Sequence, residues 1–186
     1  MEGDLTIIAG PSGVGKGTLV AHLRRRCPSV WVSVSVTTRE PRPGEVDGVA
    51  YHFIDDSAFD RLVESDGLLE WAQYGPARYG TPAAPVREAL ARGARAVLEI
   101  EVCGARQVRQ AMPDARFILI VPPDLETLAA RLRGRGTESP EQIERRLRAA
   151  ERELAARDEF DHVVVNAEVG EAVDQLVDLM GLPRRY

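Results

Sequence analysis

The stretch IIAGPSGVGKGTLV, from Ile7 to Val20, constrains this chain more than any other part of it. An apolar run ends at Gly10, and glycines recur at positions 13, 15 and 17 around Lys16. The spacing Gly10-x-x-x-x-Gly15-Lys16 matches a phosphate-cradling loop, in which small residues let backbone N–H groups turn toward one anion. Gly10, Pro11, Ser12, Gly13, Val14, Gly15, Lys16, Gly17 and Thr18 then form a nucleoside triphosphate-binding segment. The backbone and the following helix N-terminus hold the β-phosphate, and Lys16 follows the charge moving on the γ-phosphoryl group. One position departs from the pattern. The residue after the lysine is Gly17 where Ser or Thr would bring a hydroxyl to Mg²⁺, and Thr18 offers its hydroxyl one position late.

The context suits that loop. Leu5 to Ala9 reads as a buried strand, and Lys16 to Arg26 carries helical spacing through Leu19, Val20 and Leu23. The alternation returns as RAVLEIE (strand), GARQVRQAM (helix), RFILIV (strand), LETLAARL (helix) and HVVV (strand), then an amphipathic helix from Glu168 to Met180. Short strands alternating with helices predict an α/β fold of the P-loop NTPase type, a parallel sheet flanked by helices. The rhythm fails over residues 35–81, where prolines, glycines and aromatics gather without a clear long helix, so this segment reads as an inserted lobe. A second irregular stretch, RGRGTESPEQIERR, separates two helices, is loaded with arginine and reads as a mobile loop within a lid region, 131–149; the run EQIERRLRAAERELAARDEF, with opposite charges at i,i+4 spacing, reads mostly as a solvated helix face. The core is then 1–34, 82–130 and 150–186.

At 186 residues the chain holds one sizeable core, and no apolar run approaches the roughly 20 residues that span a bilayer. A start that runs straight into an apolar strand, without a basic leader, predicts a cytoplasmic protein with no membrane partner. The net charge of -5 argues against a nucleic-acid partner. Cys27 and Cys103 lie too far apart in sequence for a C-x-x-C site and read as incidental thiols, while His22, His52 and His162 share no spacing.

Three further stretches carry chemistry. In SVSVTTREPRPGEVDGVAY, Arg39 and Arg42 flank Pro41 on a stiffened loop, a presentation suited to bidentate phosphate recognition or to plain solvation. In LLEWAQYGPARYGTP, Glu70, Tyr79 and Thr81 gather around glycines. A carboxylate there can accept two donors from one purine edge, and guanine offers an N–H and an amine side by side; a core Trp71 beside a polar loop is the equal alternative. In VLEIEVCG, Glu99 and Glu101 end an apolar strand at the edge that faces the ligand crevice of an open parallel sheet. One carboxylate suits Mg²⁺ and its waters, the other the acceptor.

Taken in order and spacing, GPSGVGKGTL, SVSVTTREPRPGEVDGVAY, EWAQYGPARYGTP, EIEVCGA and RLRGRGTES resemble guanylate kinase over nearly the whole chain. The resemblance implies transfer of the γ-phosphoryl group of ATP to GMP with Mg²⁺ as cofactor, and makes 35–81 the GMP-binding lobe. It implies that Ser35, Arg39, Arg42, Tyr51 and Tyr79 hold the GMP phosphate, and that Glu70, Thr81 and Glu101 recognise guanine. Arg131, Arg135 and Arg146 fall on the lid arginines, and Asn166 on a position near adenine. Metal contact falls to Thr18 and Glu99, the latter through water. Glu99 and Glu101 stand where many relatives carry Asp, and Arg78 replaces a frequent tyrosine, adding positive charge. Two alternatives share parts of the pattern. A guanylate-kinase-like phosphopeptide-binding module lacks an intact ATP loop, and a P-loop kinase of a ribosyl phosphate has no need of Glu70 and Thr81.

Overall fold

The computed structural model describes residues 3–134 and 139–183. Among the described residues the strands are β1 (Asp4–Ala9), β2 (Val30–Val32), β3 (Val36–Thr37), β4 (His52–Phe53), β5 (Leu68–Tyr74), β6 (Ala77–Pro82), β7 (Arg95–Ile100), β8 (Arg116–Val121) and β9 (His162–Val165). The helices are α1 (Lys16–Arg26), α2 (Asp56–Glu64), α3 (Ala83–Ala91), α4 (Val102–Ala111), α5 (Leu125–Arg133), α6 (Pro140–Leu154) and α7 (Val169–Leu179).

The strands β2-β7-β1-β8-β9, in that order, make a five-stranded sheet whose pairings are all parallel. Such a sheet must be covered on both faces, and the apolar residues divide accordingly. On one face Ile8, Val97, Ile118, Ile120 and Val164 pack with Leu19 and Leu23 of α1 and Val173, Leu176 and Val177 of α7. On the other, Ile7, Leu98, Ile100 and Phe117 pack with Val86 of α3 and Ala105 and Val108 of α4. The parallel α/β architecture expected from the sequence is therefore present, with the ranges Lys16–Arg26, Arg116–Val121 and His162–Val165 as read.

The segment 35–81 builds a second sheet, β4-β3-β6-β5, in which β6 runs antiparallel to both neighbours. It also contains the short helix α2, capped by Asp55 and buried through Phe59. Arg78 is not spare charge. Its guanidinium binds Asp60 at 2.6 Å and Asp56 at 2.7 Å and lies over the Phe59 ring, fastening α2 to β6. Leu69 of this lobe is buried in the core cluster beneath α4, so the lobe is rooted in the main sheet's packing.

Two stretches differ from the sequence reading. Helix α3 was absent from the predicted alternation because AAPVREALA has little apolar periodicity and carries Pro85, which a first turn tolerates. The arginine-rich stretch predicted as irregular gives way to helix at Pro140. Ser139 and Gln142 form a reciprocal capping box there, and Pro140 opens the first turn. Beyond it, Ile143 and Ala150 pack against Leu128 and Leu132 of α5 in a small cluster apart from the main cores.

Candidate active site

The phosphate loop joins β1 to α1 at the centre of the parallel sheet, at the carboxyl edge where an open sheet binds ligands. Gly15 caps α1 with φ 98°, a left-handed conformation that favours glycine, and a Cβ there would stand 2.6 Å from Asn166 Nδ2. The helix has neither a side-chain cap nor an acidic residue in its first turn. Its N–H groups and the positive end of its dipole are thus left for an anion.

Lys16 is only 8% exposed and folds back over its own loop. Its ammonium donates to the carbonyls of Gly10 and Pro11 and to Glu101 Oε1, the last at 3.3 Å. The register explains the last contact: Ala9 lies opposite Ile100, which sets Glu101 alongside Gly10. Lys16 is also the only lysine of the chain.

Glu99 reaches the same cleft from β7. A Cβ on Gly17 would lie 3.4 Å from Glu99 Oε1, so the glycine that departs from the loop pattern stands where this carboxylate passes. Solvent reaches Glu99, yet the crowding of the cleft walls raises its pKa; Lys16 opposes that rise and Glu101 reinforces it. Thr18 is exposed on α1. Among the described residues no group of three or more His, Cys, Asp or Glu could hold a metal by itself. One hard carboxylate facing a phosphate loop still fits Mg²⁺, which keeps most of its waters and binds phosphate oxygens.

Asn166 and Arg131 brace the loop from behind. Asn166 is buried and donates from Nδ2 to the Val14 carbonyl at 2.8 Å. Arg131 donates to the carbonyls of Val14 at 3.3 Å and Asn166 at 2.9 Å. Arg146 is partly buried on α6, and Arg135 lies outside the described residues.

In the second lobe, Arg39 is held in a fork by Glu45, at 2.8 and 2.9 Å. The Arg42 N–H adds a bond of 2.7 Å to the same carboxylate. These bonds, Arg39 first, hold the Glu45 carboxyl down at about 2, and Glu45 in turn raises Arg39. The Arg39 guanidinium also lies 5.4 Å from the Tyr51 ring, which meets Tyr79 edge-on. Arg42 is exposed, Ser35 and Tyr79 are half-buried, and burial pushes the Tyr51 phenol up. Sequence reasoning assigned no role to Glu45. A carboxylate six residues after Arg39, beyond a Pro-Gly turn, was the available signal.

Between the lobes stands Glu70, 7% exposed, accepting from Thr81 Oγ1 at 2.6 Å. Thr81 lies opposite Glu70 across the β5–β6 pair and is 1% exposed. Trp71, the core candidate, is instead 39% exposed, so the strand turns its carboxylate inward and its indole outward. Burial first, and then the nearby Glu101, push the Glu70 carboxyl up to about 7, against the Thr81 hydrogen bond. A further carboxylate, Glu153 on α6, escaped sequence reasoning because it sits in a helix that reads as a solvated face. Burial and Glu101 push it to about 7 as well.

Comparison with known proteins agrees with this geometry. The guanylate kinase family model matches residues 2–181. The chain is 58% identical to a guanylate kinase of Thermobifida fusca, over 96% of this chain and 91% of that one. It is 57% identical to one of Frankia casuarinae, over 95% and 96%. Among solved structures, guanylate kinase from Anaplasma phagocytophilum superposes with a TM-score of 0.79 at 28% identity, covering 97% of this chain and 85% of that chain. A gluconokinase from Sinorhizobium meliloti, at 17% identity and a TM-score of 0.54, covers 97% and 92% and shares the fold alone. A glycine-rich phosphate loop with its lysine, a buried carboxylate between two lobes and relatives matched over almost their whole length lead to one conclusion: the chain belongs to the guanylate kinase family.

Proposed function

We infer that the chain transfers the γ-phosphoryl group of ATP to the phosphate of GMP, giving ADP and GDP. One observation carries the reading. Glu101 is bonded to Lys16 on one side, and on the other it opens helix α4, whose Gly104 lies against buried Glu70. A single residue thus links the lysine suited to a donor phosphate with the carboxylate suited to an acceptor base, and two nucleotides bound there would meet.

In this reading Gly10, Pro11, Ser12, Gly13, Val14, Gly15, Lys16, Gly17 and Thr18 hold the ATP phosphates, with Asn166 at the adenine end. The lobe 35–81 binds GMP through Ser35, Arg39, Arg42, Tyr51 and Tyr79 at the phosphate and Glu70, Thr81 and Glu101 at the base. Guanine presents N1–H and the 2-amino group to Glu70, whereas adenine would set a lone pair against it. Mg²⁺, held by the ATP phosphates and, through water, by Glu99 with Thr18 near, would neutralise phosphate charge. Lys16 leaves its carbonyl partners for the γ-phosphoryl oxygens, whose charge it follows through transfer.

No side chain needs to take a proton from the nucleophile. A phosphate monoester's second ionisation lies near about pH 6, so the acceptor oxygen is already anionic at neutral pH. Catalysis is positioning by Arg39 and Arg42 and charge stabilisation by Lys16, Arg131, Arg146 and Arg135, with the 131–149 region excluding water. An ADP-release assay across GMP, IMP and AMP tests the reading. GMP should be preferred over AMP by about 10⁴ in kcat/KM, and comparable turnover of the two would overturn it.

A further inference from the structure

Strand β5 is the edge of its sheet, and one side chain of α4 occupies that edge. Gln107 Oε1 accepts from the Trp71 N–H at 3.1 Å, and Gln107 Nε2 donates to the Trp71 carbonyl at 2.9 Å. Edge strands leave such groups to water or to another chain. Here a side-chain amide acts as a two-point substitute strand and fixes both the height and the rotation of residue 71.

One turn earlier on α4, Gly104 lies against the Glu70 carboxylate. A Cβ at this position would stand 2.4 Å from Glu70 Oε2 and 3.0 Å from its Cδ. Preceding Glu70, Leu69 is buried with Ala105 and Val108 of the same helix, next to a register irregularity between Leu68 and Glu70. Helix α4 therefore grips three consecutive residues: Leu69 by apolar packing, Glu70 by an approach only glycine permits, and Trp71 by paired hydrogen bonds.

We propose that Gly104 and Gln107 are positioning residues that set where the Glu70 carboxylate stands and thereby the preference for guanine. The inference rests on the reading of Glu70 as the guanine acceptor. Two carboxylate oxygens must meet two donors on one rigid purine edge, and a displacement of about 1 Å at such a site costs on the order of 10²-fold.

The test uses the full chain with Gln107→Met, which keeps length and removes both hydrogen bonds, and Gly104→Ala, which adds one methyl. Alanine is a better helix former than glycine, so a loss of function in Gly104→Ala reports the methyl meeting the Glu70 carboxylate and not a weakened helix. GMP, IMP and ATP are each varied in steady-state assays, and melts are recorded beside them. Both variants should raise KM for GMP about tenfold, reduce the GMP-over-IMP preference by a similar factor and keep KM for ATP within about twofold. Gln107→Glu, which retains the acceptor for the Trp71 N–H but loses the donor, should fall between native and Gln107→Met. Unchanged GMP and IMP constants in both variants would overturn the proposal, and so would parallel losses for GMP and ATP accompanied by lower melting. Glu70→Gln runs alongside as the reference. If it leaves GMP kinetics untouched, the guanine reading itself fails; if it alone impairs GMP, that reading stands and the α4 proposal falls.

Discussion

Replacing Glu70 with glutamine separates two properties that the native carboxylate combines. Glu70 is buried, and its carboxyl is pushed from its ordinary 4.5 up to about 7, chiefly by that burial. Between those values the folded chain holds a proton that the unfolded chain has released, so this group's contribution makes the fold less stable as pH rises through the window. The two values correspond to a penalty of about 3 kcal/mol at about pH 8 and under about 1 kcal/mol at about pH 5. Glutamine carries no charge at either pH, and its Oε1 can still accept from Thr81. Relative to the native protein, the variant should therefore gain about 2 kcal/mol on going from about pH 5 to about pH 8, or about 4–8 °C in Tm for a domain of this size. The same amide turns an NH₂ toward a guanine donor, and kcat/KM for GMP should fall by about 10²-fold or more. Urea unfolding without nucleotide at the two pH values, paired with the ADP-release assay, measures both effects. A stability difference independent of pH would refute the raised carboxyl, and native GMP turnover would refute its role at the base.

Lys16→Met should abolish transfer while leaving the melt and circular dichroism spectrum near native, since the loop's N–H groups remain; turnover near the native rate would remove the lysine from the chemistry. As Lys16 is the only lysine, a phosphate-bearing amine reagent such as pyridoxal phosphate with borohydride should label one internal site, and ATP should protect it by mass spectrometry. The acid limb of kcat/KM for GMP should contain two ionisations: Glu70 near the about 7 to which it is pushed, and free GMP near about 6. Protonation of either weakens binding, so activity falls with falling pH. A thiophosphate acceptor should move only the lower one, and in Glu70→Gln only the GMP ionisation should persist. Asn166→Ala should raise KM for ATP about tenfold with KM for GMP unchanged, because the bond to the Val14 carbonyl is lost; an equal rise in both constants would contradict this.

Those parts of the site that rest on local chain geometry were legible in the sequence. The phosphate loop is contiguous, its glycines meet backbone demands inside the loop, and the flanking strand and helix show in their periodicity. Arg39 is singled out by a proline-stiffened loop, and Glu70 and Thr81 by a glycine-flanked run, both readable locally. What stayed hidden depends on residues distant in sequence. The inward turn of Glu70, rather than Trp71, follows from β5 pairing with β6 and docking on α4, which no local pattern encodes. Gln107 reads as one more polar residue on a helix until the edge of β5 is placed beside it. Glu153 hides for the same reason, since its helix is charged at nearly every turn. Helix α6 starts at Pro140, one residue before the charged helical run read from Glu141, and its cap is written locally in Ser139, Pro140 and Gln142.

The fork between Arg39 and Glu45 bears on what the proposed acceptor lobe would ignore. An arginine already chelated by an internal carboxylate offers a passing anion little, since any newcomer must displace a tethered rival that is always present at high local concentration. Inorganic phosphate, chloride or a free sugar phosphate would compete for the fork with nothing else to gain. On that reading a nucleotide whose base also satisfies Glu70 would bring a second anchorage, and only the sum of the two would outweigh the tethered rival. On the proposed reading, Glu45 would act as a threshold, making phosphate capture by Arg39 conditional on base recognition at Glu70.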